Sequence, residues 1–185
     1  MVLRSAPEVA RRLPRVLVVL VLTVPVLVVT GVFVASLVLV RQPVPDADTV
    51  RLRVPAVPTP AAASADCSRL LSGLPGEMAT EQGMLARRVL ADPVPPATVA
   101  WGGEEGAAPV VLRCGLPRPA ALSGGGSMTV VNGVDWIEVE DGVPGSRTWV
   151  TTDRAVYVAI TVPDGVGTAP IQDVSRGVKI SLVSR

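Results

Sequence analysis

The sequence predicts an α+β protein in which an N-terminal transmembrane helix is followed by a small antiparallel sheet domain with two helices and one disulfide. Three observations support this fold class. A long uncharged segment lies near the N-terminus, short β-type segments separated by Gly and Pro occupy the middle, and the chain has two cysteines. The predicted division is a basic cytoplasmic segment at 1–15, a transmembrane helix at 16–40, a Pro-rich linker at 41–65 and an extracytoplasmic domain at 66–185.

The apolar segment from Val16 to Val40 has 25 consecutive residues without a charge, most of them Val and Leu. As a helix rising about 1.5 Å per residue it would be roughly 37 Å long, enough to cross a hydrocarbon core of about 30 Å. A cleavable signal peptide has an apolar region of only about 7–15 residues. A lipid anchor would require small residues directly before Cys67, where Asp66 stands. The segment is therefore predicted to be an uncleaved signal anchor.

The charges on either side of this segment predict its orientation. Four arginines and one glutamate precede it, whereas three arginines and two aspartates lie between Arg41 and Arg53. Positive residues next to a spanning helix are retained in the cytoplasm. The N-terminus is therefore expected inside and the C-terminal domain outside, so that the membrane is one predicted partner through Val16–Val40.

The two cysteines, Cys67 and Cys114, both lie in the part that is predicted to be exported. Pairing them would close a loop of 48 residues and would contribute roughly 4 kcal/mol in the chain-entropy description. Two free buried thiols are the alternative, which a cytosolic location would favour, but the predicted compartment favours a disulfide. No metal site is expected because the chain has no histidine to join two thiolates, and no cofactor is expected either.

The linker at 41–65 contains five prolines among Val, Ala and Thr, which is typical of a semi-rigid extended spacer. The folded domain is predicted to begin at Asp66, which would cap a short helix by accepting from its first-turn N–H groups. Gly73 and Pro75 are stop signals for this helix. Its buried side would be formed by Leu70, Leu71 and Leu74.

Six β segments are predicted downstream, at 97–101, 109–113, 128–131, 134–140, 147–152 and 155–162. Asn132-Gly133 joins the third segment to the fourth, and both residues tolerate the positive φ that a type I′ hairpin turn requires. The last segment alternates, with four aliphatic residues on one face, which is typical of a strand that packs on a core. These segments predict an antiparallel sheet of five or six strands.

The end of the chain changes period. Aliphatic residues recur there at three- and four-residue steps, at Ile171, Val174, Val178 and Leu182. Pro170 is suited to the first turn of a helix and Lys179 to the last. A strand is the alternative, because Gly177 and the β-branched residues weaken a helix, but helix is preferred. The two helices are expected on one face of the sheet.

The absence of histidine removes the commonest general base and every Ser-His-Asp or Cys-His arrangement. Residues 66–185 carry ten Lys and Arg against thirteen acids without a basic run, which argues against nucleic acid as a partner. One surviving catalytic scheme is a Ser–Lys pair at Ser175 and Lys179, one helical turn apart. The alternative is that Lys179 is there for electrostatic reasons at a helix C-terminus. The Gly-rich segment 123–127 lacks the Lys-Ser/Thr ending of a phosphate loop.

A second surviving scheme uses carboxylates. Asp135, Glu138 and Asp153 form an alternative acidic site, with Glu140 and Asp141 close by in sequence. Paired carboxylates serve as acid and base in glycoside cleavage or bind hard metal ions. The competing interpretation, which we favour, is that alternating acids mark the solvated face of a strand.

Arginines and tryptophans provide the preferred contact surface for a ligand or partner. Guanidinium groups beside indole rings can hold a carboxylate or a planar group by bidentate hydrogen bonds and stacking. The residues proposed for this surface are Arg113, Arg118, Arg147, Trp101 and Trp136, with Trp149 close by in sequence. The alternative is that the arginines pair with acids and the tryptophans fill the core.

Several of these residues also carry a family resemblance. The motifs are, in order, Cys67-Ser68-Arg69-Leu70-Leu71, Leu74-Pro75, Arg87-Arg88, Ala100-Trp101-Gly102, Val110-Val111-Leu112-Arg113-Cys114-Gly115, Pro117-Arg118-Pro119, Val131-Asn132-Gly133-Val134-Asp135-Trp136 and Arg147-Thr148. With them the chain resembles the actinobacterial family called domain of unknown function 3515, over essentially all of 66–185. The resemblance implies a small envelope protein with an N-terminal membrane segment or signal, a cysteine pair and no assigned activity.

The sequence thus predicts a membrane-anchored extracytoplasmic module that binds an envelope protein or a cell-wall component and is not an enzyme. The alternative is a histidine-free, carboxylate-dependent enzyme acting on cell-wall polymer.

Overall fold

The computed structural model describes residues 51–140 and 142–185, together with Val28. The predicted segment at 1–15, the rest of the predicted transmembrane helix at 16–40 and the first part of the predicted linker lie outside the described residues. Within the described residues, no helix is long and apolar enough to span a membrane.

The described residues form two α-helices, eight strands and two short 3₁₀ helices. In chain order these are α1 (Ala65–Gly73), β1 (Glu77–Thr80), β2 (Gly83–Ala86), β3 (Thr98–Trp101), a 3₁₀ helix (Glu104–Gly106), β4 (Val110–Leu116), a 3₁₀ helix (Ala120–Ser123), β5 (Met128–Val131), β6 (Val134–Val139), β7 (Ser146–Thr151), β8 (Tyr157–Pro163) and α2 (Ala169–Ser181).

Strands β3 to β8 form one six-stranded sheet in the order β3-β4-β8-β7-β6-β5, and every neighbouring pair is antiparallel. The predicted α+β class with an antiparallel sheet, two helices and one disulfide is therefore confirmed. The separate hairpin of β1 and β2 was not predicted. Its sequence lacks the alternation of a half-buried strand, because Met78 is its one fully buried side chain.

The turn between β5 and β6 has the geometry that its sequence predicts. Asn132 has φ 51° and Gly133 has φ 79°, and Val131 lies directly opposite Val134 in the register. Two successive residues with positive φ match the right-handed twist of the flanking strands. The hairpin prediction is confirmed.

Helix α1 begins two residues earlier than its predicted cap suggests. Its N-cap is Ser64, whose backbone is extended and whose side-chain oxygen accepts from the Cys67 N–H at 3.2 Å. Asp66 is a helical residue in the first turn and pairs with Arg69. The Asp66 cap was wrong because a cap residue needs the non-helical backbone that Ser64 has.

Helix α2 confirms the choice of helix over strand at the end of the chain. Its inward side chains Ile171, Val174 and Val178 are buried, and Lys179 lies in its last turn. Gly177, which weakens an isolated helix, lies where a Cβ would come within 3.3 Å of the Leu74 Cδ2 atom. The glycine therefore allows α1 and α2 to approach each other closely.

The main core lies between the two helices and one face of the sheet. Its fully buried members include Trp101, Trp136, Leu70 and Leu112. Cys67 of α1 and Cys114 of β4 are both 0% exposed and form the predicted disulfide, with a Cα–Cα distance of 5.6 Å. The covalent bond thus joins the first helix to a central strand inside the core.

The opposite face of the sheet is covered in part by the residues that precede α1. Val54 packs there with Leu90, Ala100 and Val111, and Leu52 exchanges backbone hydrogen bonds with Val89 and Ala91. The predicted 41–65 spacer thus includes residues that pack on the domain from 51 onward.

Gly115 allows the segment before α1 to approach β4 closely. It lies at the register irregularity between Cys114 and Leu116 on β4 and has φ 86°. A Cβ at this position would come within 2.5 Å of the backbone of Ala61 and Ala62, and the Ala61 N–H donates to the Gly115 carbonyl at 3.0 Å. Only glycine fits here, because both its φ and the close approach exclude a side chain.

Candidate functional site

The two tryptophans of the predicted contact surface are core residues. Trp101 is 0% exposed and its indole N–H donates to the Pro75 carbonyl at 3.0 Å. Trp136 is also 0% exposed and donates to the Ser175 hydroxyl at 2.9 Å. In a domain with few aromatic residues, the largest side chains fill the centre and their N–H groups find internal acceptors. The Arg/Trp surface is therefore not formed as predicted.

The three predicted arginines do not converge on one site. Arg113 lies on the sheet face away from the helices, where its Nη2 donates to the Pro55 carbonyl at 3.3 Å. Arg147 is exposed, and its Nε lies 3.9 Å from the Asp164 carboxylate. Arg118 lines a groove of about 350 Å³ on the face away from the helices, and Arg147 lines a different one. Each arginine thus serves a separate part of the surface.

The acids of the alternative site do not converge either. Asp135 and Glu138 are three positions apart on β6, so their side chains leave opposite faces of the sheet. Asp153 forms an ion pair with the adjacent Arg154. Asp141 lies outside the described residues. Within 51–140 and 142–185, no group of three or more His, Cys, Asp or Glu residues is placed to hold a metal ion.

The Ser175 hydroxyl makes its hydrogen bonds inside the core and is not paired with Lys179. The hydroxyl donates to the Ile171 carbonyl at 2.6 Å and accepts from the Trp136 indole. Ser175 is 0% exposed, whereas Lys179 is exposed on the helix surface. Ser175 therefore makes hydrogen bonds inside the core, whereas Lys179 lies on the exposed surface of the helix.

The structure does bring several charged residues together at the C-terminal end of α2, in a cleft of about 490 Å³ that we call the basic cleft. Its walls come from α1, the end of α2, the β5–β6 turn, the β7–β8 turn and the segment after α2. The lining residues are Arg69, Gly133, Asp153, Arg154, Lys179, Ile180, Ser181, Leu182, Val183 and Ser184. Three of these side chains are cationic and one is a carboxylate.

Arg154 forms the floor of the basic cleft and is only 3% exposed. Its Nη1 pairs with the Asp153 carboxylate, and its Nη2 donates to the Gly133 carbonyl at 3.2 Å. Arg154 Nε and Asp153 Oδ1 are both buried and have no hydrogen-bond partner in the described chain. Taking such a pair out of water is costly unless every donor and acceptor is paired. The arrangement therefore does not maximise stability.

Arg69 reaches the basic cleft from α1. Its Nη1 donates to the Asp66 carboxylate at 3.0 Å and to the Ser181 carbonyl at 3.0 Å. Ser181 is the last residue of α2, so Arg69 satisfies a carbonyl that the end of the helix leaves free. This contact joins the two helices through residues that are 112 positions apart in sequence.

Lys179 lies on the other side of the basic cleft, next to the β5–β6 turn. A Cβ at Gly133 would lie 3.4 Å from the Lys179 Nζ atom. Among the described residues, Lys179 has no carboxylate within ion-pair distance. The neighbouring aliphatic side chains Ile180 and Val183 are 86% and 76% exposed. The cleft thus combines an unpaired cation with an exposed apolar rim.

Sequence reasoning identified parts of the basic cleft without assembling them. Lys179 was singled out as a helix-end residue, Asp153 as an acid in a turn, and Arg69 as part of a family motif. Their convergence depends on contacts between elements far apart in the chain, which no local pattern reports. Chemically, the cleft offers positive charge and apolar surface, while its one carboxylate is already paired with Arg154. This combination suits the binding of an anion better than acid–base catalysis.

The fold and the cleft together define a small α+β domain that is closed by one buried disulfide and carries a basic cleft. The chain belongs to the family described as "Protein of unknown function (DUF3515)", whose model matches residues 22–185. The resemblance seen in the sequence motifs is thereby confirmed. No curated protein and no solved structure matches the chain.

Proposed function

We propose that this chain is a single-pass membrane-anchored protein whose extracytoplasmic domain binds an envelope protein or a cell-wall component. In this proposal Val16–Val40 crosses the cytoplasmic membrane with the N-terminus inside. The observation that carries the location is the Cys67–Cys114 disulfide, whose two cysteines are fully buried in the core. Disulfides persist in oxidising compartments and are rare in the cytosol. The arginines that precede the apolar segment support the same orientation.

Binding rather than catalysis is supported by the placement of the charged groups. Glycoside cleavage requires two carboxyl groups that flank one bond, but Asp135 and Glu138 leave opposite faces of the sheet. Asp153 is held by Arg154. The basic cleft, in contrast, presents Lys179 without an ion-pair partner in the described chain. An anionic envelope component is the kind of partner that this cleft fits.

The location is tested by two reporters fused after Arg185 in living cells. Alkaline phosphatase, which needs disulfides, should be active in this fusion, and a reporter that works only in the cytosol should be inactive. A matched control replaces the four arginines before the apolar segment by Gln, which removes the charge bias and should lower the phosphatase signal. Activity of the cytosolic reporter in the unsubstituted chain would contradict the proposed orientation.

The binding role is tested by photo-crosslinking in intact cells. A photoreactive residue at Ile180, on the rim of the basic cleft, should capture an envelope component. The same residue at Val130, which is 66% exposed but outside the cleft lining, is the control and should not capture that component. Lys179→Gln should reduce capture at Ile180. Equal capture at both positions would contradict a specific role for the cleft.

A further inference from the structure

We infer that the basic cleft binds a phosphate-bearing amphiphile, with the phosphate on Lys179 and Arg69 and the aliphatic part on Ile180 and Val183. This inference rests on the proposed function, because it names the chemical class of the component that the domain binds. It is carried by the charges of the cleft, by the exposure of its aliphatic rim and by the unequal pairing of its cations.

The charges that line the basic cleft sum to an excess of positive charge. Arg69, Arg154 and Lys179 are cationic, and Asp153 is the one carboxylate among the lining residues. Arg154 neutralises Asp153 in a direct ion pair. Arg69 is itself paired with Asp66, so the net excess lies with Lys179, and Arg69 contributes from a second helix the N–H donors that Asp66 and Ser181 do not use. A ligand with negative charge is therefore attracted to Lys179.

The carbonyl groups at the end of α2 do not cancel this attraction. The C-terminal end of a helix carries partial negative charge on its free carbonyls. Here the Ser181 carbonyl accepts from Arg69 at 3.0 Å, and the Val178 carbonyl accepts from the Leu182 N–H at 2.8 Å. Two of the four carbonyls of the last turn are thus already paired, which weakens the negative potential that this end of the helix adds beside Lys179.

Phosphate suits a site that is centred on a lysine. A guanidinium fork holds carboxylate and phosphate alike by two parallel N–H groups, whereas lysine binds phosphate as a point charge without a fixed geometry. The Nη1 of Arg69 is already shared between Asp66 and Ser181, so its fork is not free. Two separate cations on two helices suit a tetrahedral group whose oxygens point in several directions.

The apolar rim accounts for the second part of the ligand. Ile180 follows Lys179 directly and is 86% exposed, and Val183 is 76% exposed, although both line the cleft. Scattered exposed aliphatic residues need no explanation, but exposed apolar side chains that are grouped and bordered by polar residues mark sites of protein, membrane or ligand contact. An aliphatic chain attached to the phosphate would bury these side chains.

The isoleucines of this chain provide a direct measurement. There are four, at 137, 160, 171 and 180. The first three are buried, and Ile180 alone is exposed. We would label the isoleucine δ1-methyl groups of the full-length protein with ¹³C, place the protein in phosphatidylcholine nanodiscs and record methyl NMR spectra. The Ile180 resonance reports on the cleft, and the other three report on the integrity of the core.

Three soluble probes separate the parts of the ligand. Dihexanoyl phosphatidic acid has both phosphate and chains, dihexanoylglycerol has the same chains without phosphate, and inorganic phosphate has no chain. Phosphatidic acid should shift Ile180 saturably, at concentrations roughly tenfold lower than either other probe, since each tenfold step in affinity corresponds to about 1.4 kcal/mol. The other three isoleucines should not shift. Equal effects of the two lipids would overturn the phosphate part, and equal effects of the two phosphates would overturn the aliphatic part.

Substitutions test whether the ligand binds in the basic cleft. Lys179→Gln should weaken phosphatidic acid binding roughly tenfold through the loss of one charged contact, and Val183→Ser should weaken it without changing the effect of inorganic phosphate. Arg118→Gln, at an exposed arginine outside the cleft, should have no effect. An Ile180 resonance that responds to no probe, or a response unchanged in Lys179→Gln, would refute the inference. Failure of the chain to enter nanodiscs would contradict the membrane anchor instead. The same titration, performed in buffer, would then test ligand binding to the basic cleft.

Discussion

The core between the sheet and the two helices differs from the basic cleft in how completely its buried polar atoms are paired. In the core, the indole N–H groups of Trp101 and Trp136 both donate to internal oxygens. In the cleft, Arg154 Nε and Asp153 Oδ1 are buried without a partner in the described chain. An unpaired buried polar group costs roughly 1–3 kcal/mol. The core is thus arranged for stability, and the cleft is not.

Helix α2 takes part in both regions and shows the same contrast along its length. Val174 and Val178 are 0% exposed and pack in the core, whereas Ile180, two residues further on, is 86% exposed. Packing therefore determines the inner face of the helix. It does not determine the last turn, where an exposed isoleucine and an unpaired lysine adjoin the cleft. Substitutions should separate the two regions by the size of their effect on stability.

The largest effect is expected in the core for Trp136→Ala. The change removes a fully buried side chain and leaves the Ser175 hydroxyl without its donor, so the free energy of unfolding should fall by about 3–5 kcal/mol. Urea unfolding followed by fluorescence of the remaining tryptophans measures the loss. Trp149→Phe, at a half-buried tryptophan, serves as the control and should cost clearly less. A loss below about 1 kcal/mol for Trp136→Ala would contradict its central position in the core.

Removal of the disulfide should have the next largest effect. In Cys67→Ala/Cys114→Ala the unfolded chain gains the freedom of a loop that spans 47 positions, and the free energy of unfolding should fall by about 2–4 kcal/mol. The same urea titration gives the value. Before unfolding, the natural protein should resist alkylation without reductant, because both sulfurs are buried and paired. Rapid alkylation of both cysteines in unreduced protein would count against the bond.

The core could largely be predicted from the sequence because its signals are local. The alternation of β8, the Asn132-Gly133 turn and the three- and four-residue steps of α2 each fix an element without reference to the rest of the chain. The disulfide was predicted from the presence of two cysteines and from the oxidising compartment that the sequence predicts. Strand bounds shifted by a few residues, as between the predicted 109–113 and the observed Val110–Leu116, because pairing with β8 extends the strand.

The cleft could not be predicted because its signals are not local. Arg69 meets Ser181 across 112 residues, and Arg154 meets Gly133 across 21. The packing of residues 51–65 was missed for a similar reason, since proline content indicates an extended chain but not the surface on which it lies. The sequence suggested Trp101 and Trp136 as ligand contacts, and only the structure shows that both are buried in the core.

The ion pair on the floor of the basic cleft should give an intermediate effect that depends on which partner is removed. Arg154→Met leaves the Asp153 carboxylate without its counter-charge and should cost about 2 kcal/mol, less than for a fully buried pair because Asp153 is 21% exposed. The double variant Asp153→Asn/Arg154→Met removes both charges and should restore most of the loss. Urea unfolding of both variants tests this. If the double variant were as unstable as the single one, the pair would be a stabilising contact.

The smallest effect is expected for Lys179→Gln, and its neighbour Val178 supplies a matched comparison. Lys179 is exposed and has no ion-pair partner among the described residues, so its replacement should change the free energy of unfolding by less than about 0.5 kcal/mol. Val178→Ala, one position earlier on the same helix, removes two buried carbons and should cost roughly 2 kcal/mol. Urea unfolding of the two variants side by side measures the difference. Equal losses would mean that Lys179 supports the core, and the basic cleft would then lose the unpaired cation on which its binding role depends.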